Sequence, residues 1–92
     1  RMYGFVPREL SPEVARYFGF EKETGVIVTE ITRDGPAERA GLRRGDILVR
    51  LDKRPVEGLD DVQTALGKKN PSDATRVDVY RKGKVLSLRI RP

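Results

Sequence analysis

Cysteine, histidine and tryptophan are all absent from this 92-residue chain. Without cysteine there is no disulfide and no thiolate nucleophile, and the redox character of the compartment leaves no mark on the composition. Without histidine, the commonest general base near neutral pH and the commonest zinc ligand are both missing. No apolar run approaches the roughly 18 residues needed to cross a bilayer, and no basic, apolar and small-residue succession marks a signal peptide. Asparagine, glutamine and methionine occur once each, as Asn70, Gln63 and Met2, beside 19 Lys and Arg. That balance is expected where deamidation is avoided and heat favours ion-pair networks, so a thermophilic source is the expectation.

What remains is a chain with 37% apolar and 36% charged residues, the two signs interspersed. At this length folding buries only somewhat more than about 60% of the unfolded surface, which leaves room for one core and one site. The chain reads as a single globular, soluble domain over residues 1–92, a fragment of a larger protein because it begins at Arg1 without an initiator Met. The net charge of +5 is spread over Arg33, Arg39, Arg43, Arg44, Arg50, Arg54, Arg76, Arg81 and Arg91, in different elements. Scattered charge of this kind does not make a nucleic-acid footprint.

Short blocks along the chain each specify a backbone event. Ser11-Pro12-Glu13 supplies an N-cap hydroxyl, a proline for the first helical position and a carboxylate near the positive end of the dipole. Val14, Ala15, Tyr17 and Phe18 follow as an apolar stripe, and Gly19 stops the helix. Gly25-Val26-Ile27-Val28 reads as a buried strand running to Ile31, ended by Asp34-Gly35-Pro36, where the glycine reverses the chain. Pro36 to Ala40 fits little more than one helical turn, closed by Gly41 with apolar Leu42 after the stop. Asp46 to Leu51 reads as the central strand, with Ile47, Val49 and Leu51 on one face and Leu48 on the other. After a turn at Asp52 to Pro55, Leu59, Val62, Gln63, Ala65 and Leu66 place one apolar side on a helix of two to three turns. Asp60 and Asp61 stand in its first turn. Val77 and Val79 alternate with polar residues, and Arg81 to Lys84 turns the chain into a closing β-hairpin with Leu86, Leu88 and Ile90 inward.

The carboxylates do not assemble chemistry. Asp46 follows Gly45 at the start of a strand and reads as a local acceptor of backbone hydrogen bonds. Asp34, Asp52 and Asp73 belong to turns, no pair has metal-site spacing with a third ligand, and Ser11, Ser72 and Ser87 have no histidine to activate them. No catalytic residue, metal or cofactor is expected. The candidate site is Tyr3-Gly4-Phe5. Successive amides around a glycine, freed from a partner strand, form a concavity suited to a carboxylate, and the strand edge that follows can pair with an incoming chain. Taken alone, the triplet also fits the plain start of a strand.

The order of these blocks resembles a PDZ domain of the bacterial HtrA/Deg type, which in that family is attached to a trypsin-like serine protease of the envelope. Met2-Tyr3-Gly4-Phe5 matches the carboxylate-binding loop, Leu10-Ser11-Pro12 with Phe18-Gly19 the extra N-terminal helix, and Gly25 to Val28 the strand after it. Pro36-Ala37, Ala40-Gly41-Leu42 and Gly45-Asp46-Ile47-Leu48 match the most recognisable block, and Asp61-Val62 with Ala65-Leu66 the groove helix. The resemblance implies an α+β, mainly β fold: a PDZ-like, partly open barrel or sandwich of five to six antiparallel strands capped by two main helices and one short helix.

It further implies that Tyr3, Gly4 and Phe5 receive a peptide carboxylate, that the Phe5, Val6 and Pro7 edge pairs with the peptide, and that Leu59, Gln63 and Leu66 face it from the helix. Leu66 and Phe5 would line the pocket for the terminal side chain, Leu59 would meet the residue two positions earlier, and Arg1 would add long-range attraction. Three positions depart from the family pattern. Pro7 removes an N–H that would bond the ligand, Lys53 stands where glycine is common in the turn, and Gly58 replaces the usual Ser cap. The implied partners are carboxyl-terminal or unfolded hydrophobic segments, in protein quality control, and a protease domain of the same parent in the periplasm or cell envelope of a bacterium. No nucleic acid and no direct membrane insertion are implied. The PDZ module of another envelope protease, of the site-2 or C-terminal-processing type, fits most of the same blocks. A structural domain that holds the subunits of an oligomer together, its groove empty or filled by its own chain, fits the protected Pro7 edge.

Overall fold

The computed structural model describes residues 3–92. Six strands and three helices follow one another as β1 (Phe5–Glu9), α1 (Pro12–Tyr17), β2 (Val26–Ile31), α2 (Pro36–Ala40), β3 (Ile47–Leu51), β4 (Arg54–Pro55), α3 (Leu59–Gly67), β5 (Thr75–Arg81) and β6 (Lys84–Ile90). All pairings are antiparallel, in the order β1-β2-β3-β5-β6, with β4 paired to β3 off that path. The sheet is open, and β1 forms one edge. This is the mainly β architecture expected, although only α3, at nine residues, is more than two turns long.

Gly25 to Val28 reads as an unbroken apolar run because β2 is buried on both faces. Val26 and Val28 enter the main core with Leu42, Leu48, Leu51, Val77, Val79 and Ile90, while Ile27 joins Leu10, Ala15 and Ile47 on the opposite face under α1. Each such side chain removed from water contributes about 1.5–3 kcal/mol. On β3 the face assignment is corrected. A register shift between Leu48 and Arg50 inserts one residue, so Leu51 shares the main core with Leu48 instead of lying with Ile47.

Ser11 caps α1 as expected, its Oγ accepting from the Val14 N–H at 3.2 Å. The stripe on that helix is narrower than its sequence implies. Ala15 is buried, whereas Tyr17 is 83% exposed and packs edge-on against Phe18. Gly41 closes α2 at φ 97°, and the Leu42 N–H returns to the Ala37 carbonyl.

Two turns carry their left-handed residue at an aspartate. Asp34, with φ 62°, reverses the chain after β2 while Gly35 stays extended, and Asp52, with φ 54°, does so between β3 and β4. Aspartate is among the residue types found in this region more often than most. Gly35 is needed for space instead, since a Cβ there would lie 3.3 Å from the Thr32 carbonyl oxygen. The ion-pair networks that the composition implies do not form: the described residues hold three separate pairs, Lys69–Asp52, Arg76–Asp78 and Arg81–Asp46.

Candidate functional site

The strand edge and the groove helix meet at one side of the sheet. Val62 anchors α3 in the main core, and Leu59, Ala65 and Leu66 pack half-buried against it. Leu59 and Leu66 therefore share one side of α3 with exposed Gln63, at the i, i+4, i+7 spacing of one helical face. Opposite stands β1, with Phe5 buried and Val6 and Pro7 half-buried.

Backbone directions at the start of β1 follow from its hydrogen bonds. The Tyr3 carbonyl accepts from the Ala37 N–H at 3.0 Å, and the Gly4 carbonyl accepts from the Thr32 N–H at 2.9 Å. Within a planar trans peptide the N–H points opposite to the C=O. The Gly4 N–H is thus turned away from α2, and the Phe5 N–H away from β2. Gly4 makes this possible at φ 83°, with its Cα so close to α2 that a Cβ would lie 3.3 Å from Pro36 Cδ. The residues carrying these donors are nonetheless buried. Arg1 and Met2, expected to extend this loop, lie outside the described residues. The Tyr3 hydroxyl is buried without a partner among the described residues, a loss of about 1–3 kcal/mol relative to a satisfied one.

Along β1 the free edge is regular. A register shift falls between Val6 and Pro7, where Val6 pairs with Glu30 and Pro7 with Val28. The extra residue is Thr29 of β2, whose hydroxyl donates to the Val6 carbonyl at 3.2 Å. Farther on, the Leu10 N–H donates to the Gly25 carbonyl at 2.9 Å. Alternation of antiparallel bonding then turns the backbone of Phe5, Pro7 and Glu9 outward and that of Val6 and Arg8 toward β2. Pro7 sits at an outward position and offers only its carbonyl there.

Side chains hold both ends of α3, and one of them is invisible to local sequence reasoning. Gly58 provides no side-chain cap. Instead Glu9, fifty residues earlier and at the end of β1, accepts from the Leu59 N–H through Oε2 at 3.0 Å. Beyond the other end, Lys69 Nζ donates to Asp52 Oδ2 at 2.9 Å and to the Ala74 carbonyl at 2.8 Å. Burial works to raise the Asp52 pKa, but hydrogen bonds from Lys69 and from the Arg76 amide prevail and hold it below the usual carboxylate range. A concavity of about 660 Å³ lined by Glu30, Ile31, Glu38 and Leu42 includes no residue of β1 or α3. No three acidic side chains of the described residues come together as metal ligands would.

The family comparison identifies the chain: the PDZ domain description matches residues 4–91. The chain belongs to the PDZ family. Among curated proteins this PDZ domain is 31% identical over 87 residues to a probable periplasmic serine endoprotease DegP-like of Pseudomonas fulva, covering 95% of this chain and 18% of that protein. A protein of the same description from Chlamydia trachomatis is 32% identical over 88 residues, covering 92% and 18%. The chain therefore spans about a fifth of the length of the curated relatives it matches. Among solved structures, the HtrA-type protease AlgW with decapeptide superposes with a TM-score of 0.84 at 28% identity, over 97% of this chain and 27% of that one. The HtrA3 PDZ domain bound to a phage-derived ligand (FGRWV) does so with 0.79 at 26% identity, over 97% and 81%. The resemblance to PDZ domains of HtrA/Deg-type proteases is thereby borne out. No helix of the described residues is long and apolar enough to cross a membrane.

Proposed function

We propose that this PDZ domain is a non-catalytic module that binds carboxyl-terminal or extended hydrophobic segments by strand addition along β1, and that it regulates or feeds a serine protease domain in the same parent chain. The Tyr3, Gly4 and Phe5 amides receive the ligand carboxylate, Phe5, Val6 and Pro7 pair with its backbone, and Leu59, Gln63 and Leu66 face its side chains. The observation that carries this reading is the pair of bonds turning the Gly4 and Phe5 amides away from α2 and β2. It draws further support from the peptides named with the AlgW and HtrA3 structures. The periplasmic names of the relatives support an envelope location and a role in protein quality control.

A hydrogen bond to a charged group contributes about 1.5–3 kcal/mol, so losing the carboxylate weakens binding by about tenfold or more. Calorimetric titration of hydrophobic peptides with free and amidated carboxyl ends tests this. The free acid is expected to bind at least tenfold more tightly. Equal affinity of the two forms contradicts end recognition. No binding to either, with self-association in its place, favours a structural oligomer contact, the reading to which outward-facing Pro7 and the buried loop lend weight.

A further inference from the structure

We infer that Glu9 reads the charge of the fifth residue from the ligand's carboxyl end, favouring a basic side chain and disfavouring an acidic one. This rests on the strand-addition reading above. The outward backbone positions of β1 are Phe5, Pro7 and Glu9, so an antiparallel ligand whose last residue pairs with Phe5 places its third-last opposite Pro7 and its fifth-last opposite Glu9. Because the extra residue of the irregularity belongs to β2, this two-residue step along the free edge is not interrupted. Directly opposed residues carry their side chains on the same face, with Cβ atoms about 4.5–5.5 Å apart.

The Glu9 side chain lies on the α3 side of β1, fixed there by the Leu59 N–H. That bond uses Oε2, and among the described residues Oε1 accepts none. The carboxylate lies against the start of α3, where a Cβ at Gly58 would sit in ordinary van der Waals contact with both oxygens, at 3.6 and 3.7 Å. One anchored oxygen and one free oxygen form a positioned acceptor between the end of β1 and the start of α3. Glu57, Asp60 and Asp61 stand in the adjoining stretch of chain, so this end is acidic on a domain whose net charge is +5. Asp61 is partly occupied, accepting from the Glu57 N–H at 2.8 Å.

An exposed ion pair is worth up to about 1 kcal/mol and a like-charge contact opposes binding similarly, which together amount to about fivefold or more in affinity. The test is titration of one hydrophobic, free-acid peptide carrying Lys or Glu at its fifth-last residue, against the native domain and Glu9→Gln. Glutamine keeps an amide oxygen for the Leu59 N–H, so helix and fold are retained. The Lys peptide is expected to bind at least fivefold more tightly than the Glu peptide at low salt. The preference should shrink in 0.5 M salt, as screening requires, and fall to about twofold or less in Glu9→Gln. The same exchange at the fourth-last residue, whose side chain points to the other face, should give less than half the discrimination. Equal affinities, a ratio unchanged in Glu9→Gln, or equal discrimination at the fourth-last residue overturns the assignment of Glu9 while the binding reading stands. Failure of every free-acid peptide to bind overturns both.

Discussion

Asp46→Ala is expected to lower the free energy of unfolding by about 3 kcal/mol, because it leaves a half-buried guanidinium without the buried carboxylate that pairs with it, the lower end of what breaking a buried pair costs. The Asp46 side chain is 2% exposed and that of Arg81 17%. The pair is bidentate: Arg81 Nε donates to Oδ1 at 2.8 Å and a terminal guanidinium nitrogen to Oδ2 at 2.7 Å. Oδ2 also accepts from the Arg43 N–H at 2.8 Å, and the same Arg81 nitrogen donates to the Gly41 carbonyl at 2.7 Å. One carboxylate therefore joins the α2–β3 connection to the end of β5. Hydrogen bonding to Asp46 raises the Arg81 pKa against the opposing effect of burial; a guanidinium stays protonated in proteins even without such a partner, so the substitution leaves an unpaired cation. Domains of this size are stable by about 5–15 kcal/mol, and the loss corresponds to a melting temperature lower by roughly 15 °C or more. Thermal and urea unfolding followed by circular dichroism measures it. A change under about 1 kcal/mol would mean that the pair behaves as an ordinary surface contact.

Gly4→Ala is expected to damage both stability and binding. A left-handed backbone conformation costs an L-residue about 1–2 kcal/mol. The added Cβ would also meet Pro36 Cδ at 3.3 Å, Pro36 N at 3.5 Å and Ala37 N at 3.6 Å. The last two are backbone at the start of α2, which is itself bonded to the Tyr3 carbonyl. Relief of this crowding turns the Gly4 peptide, and the outward amide turns with it. The expected outcome is a loss of about 2 kcal/mol in urea unfolding and at least a tenfold loss of affinity for a free-acid peptide. Gly67→Ala serves as the comparison. Nothing lies within 4 Å of a Cβ at Gly67, so that change should be neutral or slightly stabilising, as helix propensity favours alanine. Equal effects of the two substitutions would contradict the role given to Gly4.

Much of the fold was legible because it is encoded locally. Ser11 caps α1, Gly41 closes α2, and Gly25 to Val28 is apolar throughout because both faces of β2 are covered. Features that depend on where distant segments meet were not legible. The Asp46–Arg81 pair joins residues thirty-five apart, and the capping of α3 by Glu9 joins residues fifty apart. Nothing in the neighbourhood of Gly58 announces that its missing cap is supplied from β1. The left-handed Asp34, where Gly35 was expected to reverse the chain, shows a different limit: several residue types tolerate that region. Tyr17 and Phe18 were misplaced because periodicity alone does not say where a six-residue helix stops covering its sheet.

The placement of Phe5 to Pro7 on one strand and of Leu59, Gln63 and Leu66 on one helix was legible, but the backbone directions beside them were not. The outward turn of the Gly4 and Phe5 amides depends on α2 and β2 accepting the Tyr3 and Gly4 carbonyls as partners. The most direct measurement is the change in backbone amide resonances when a hydrophobic peptide with a free carboxyl end is added. The account predicts that the largest changes fall at Gly4, Phe5 and Val6 and along Leu59 to Leu66. Changes confined to other parts of the surface, such as the Phe18 and Arg43 to Asp46 region, or none at saturating peptide, would contradict it.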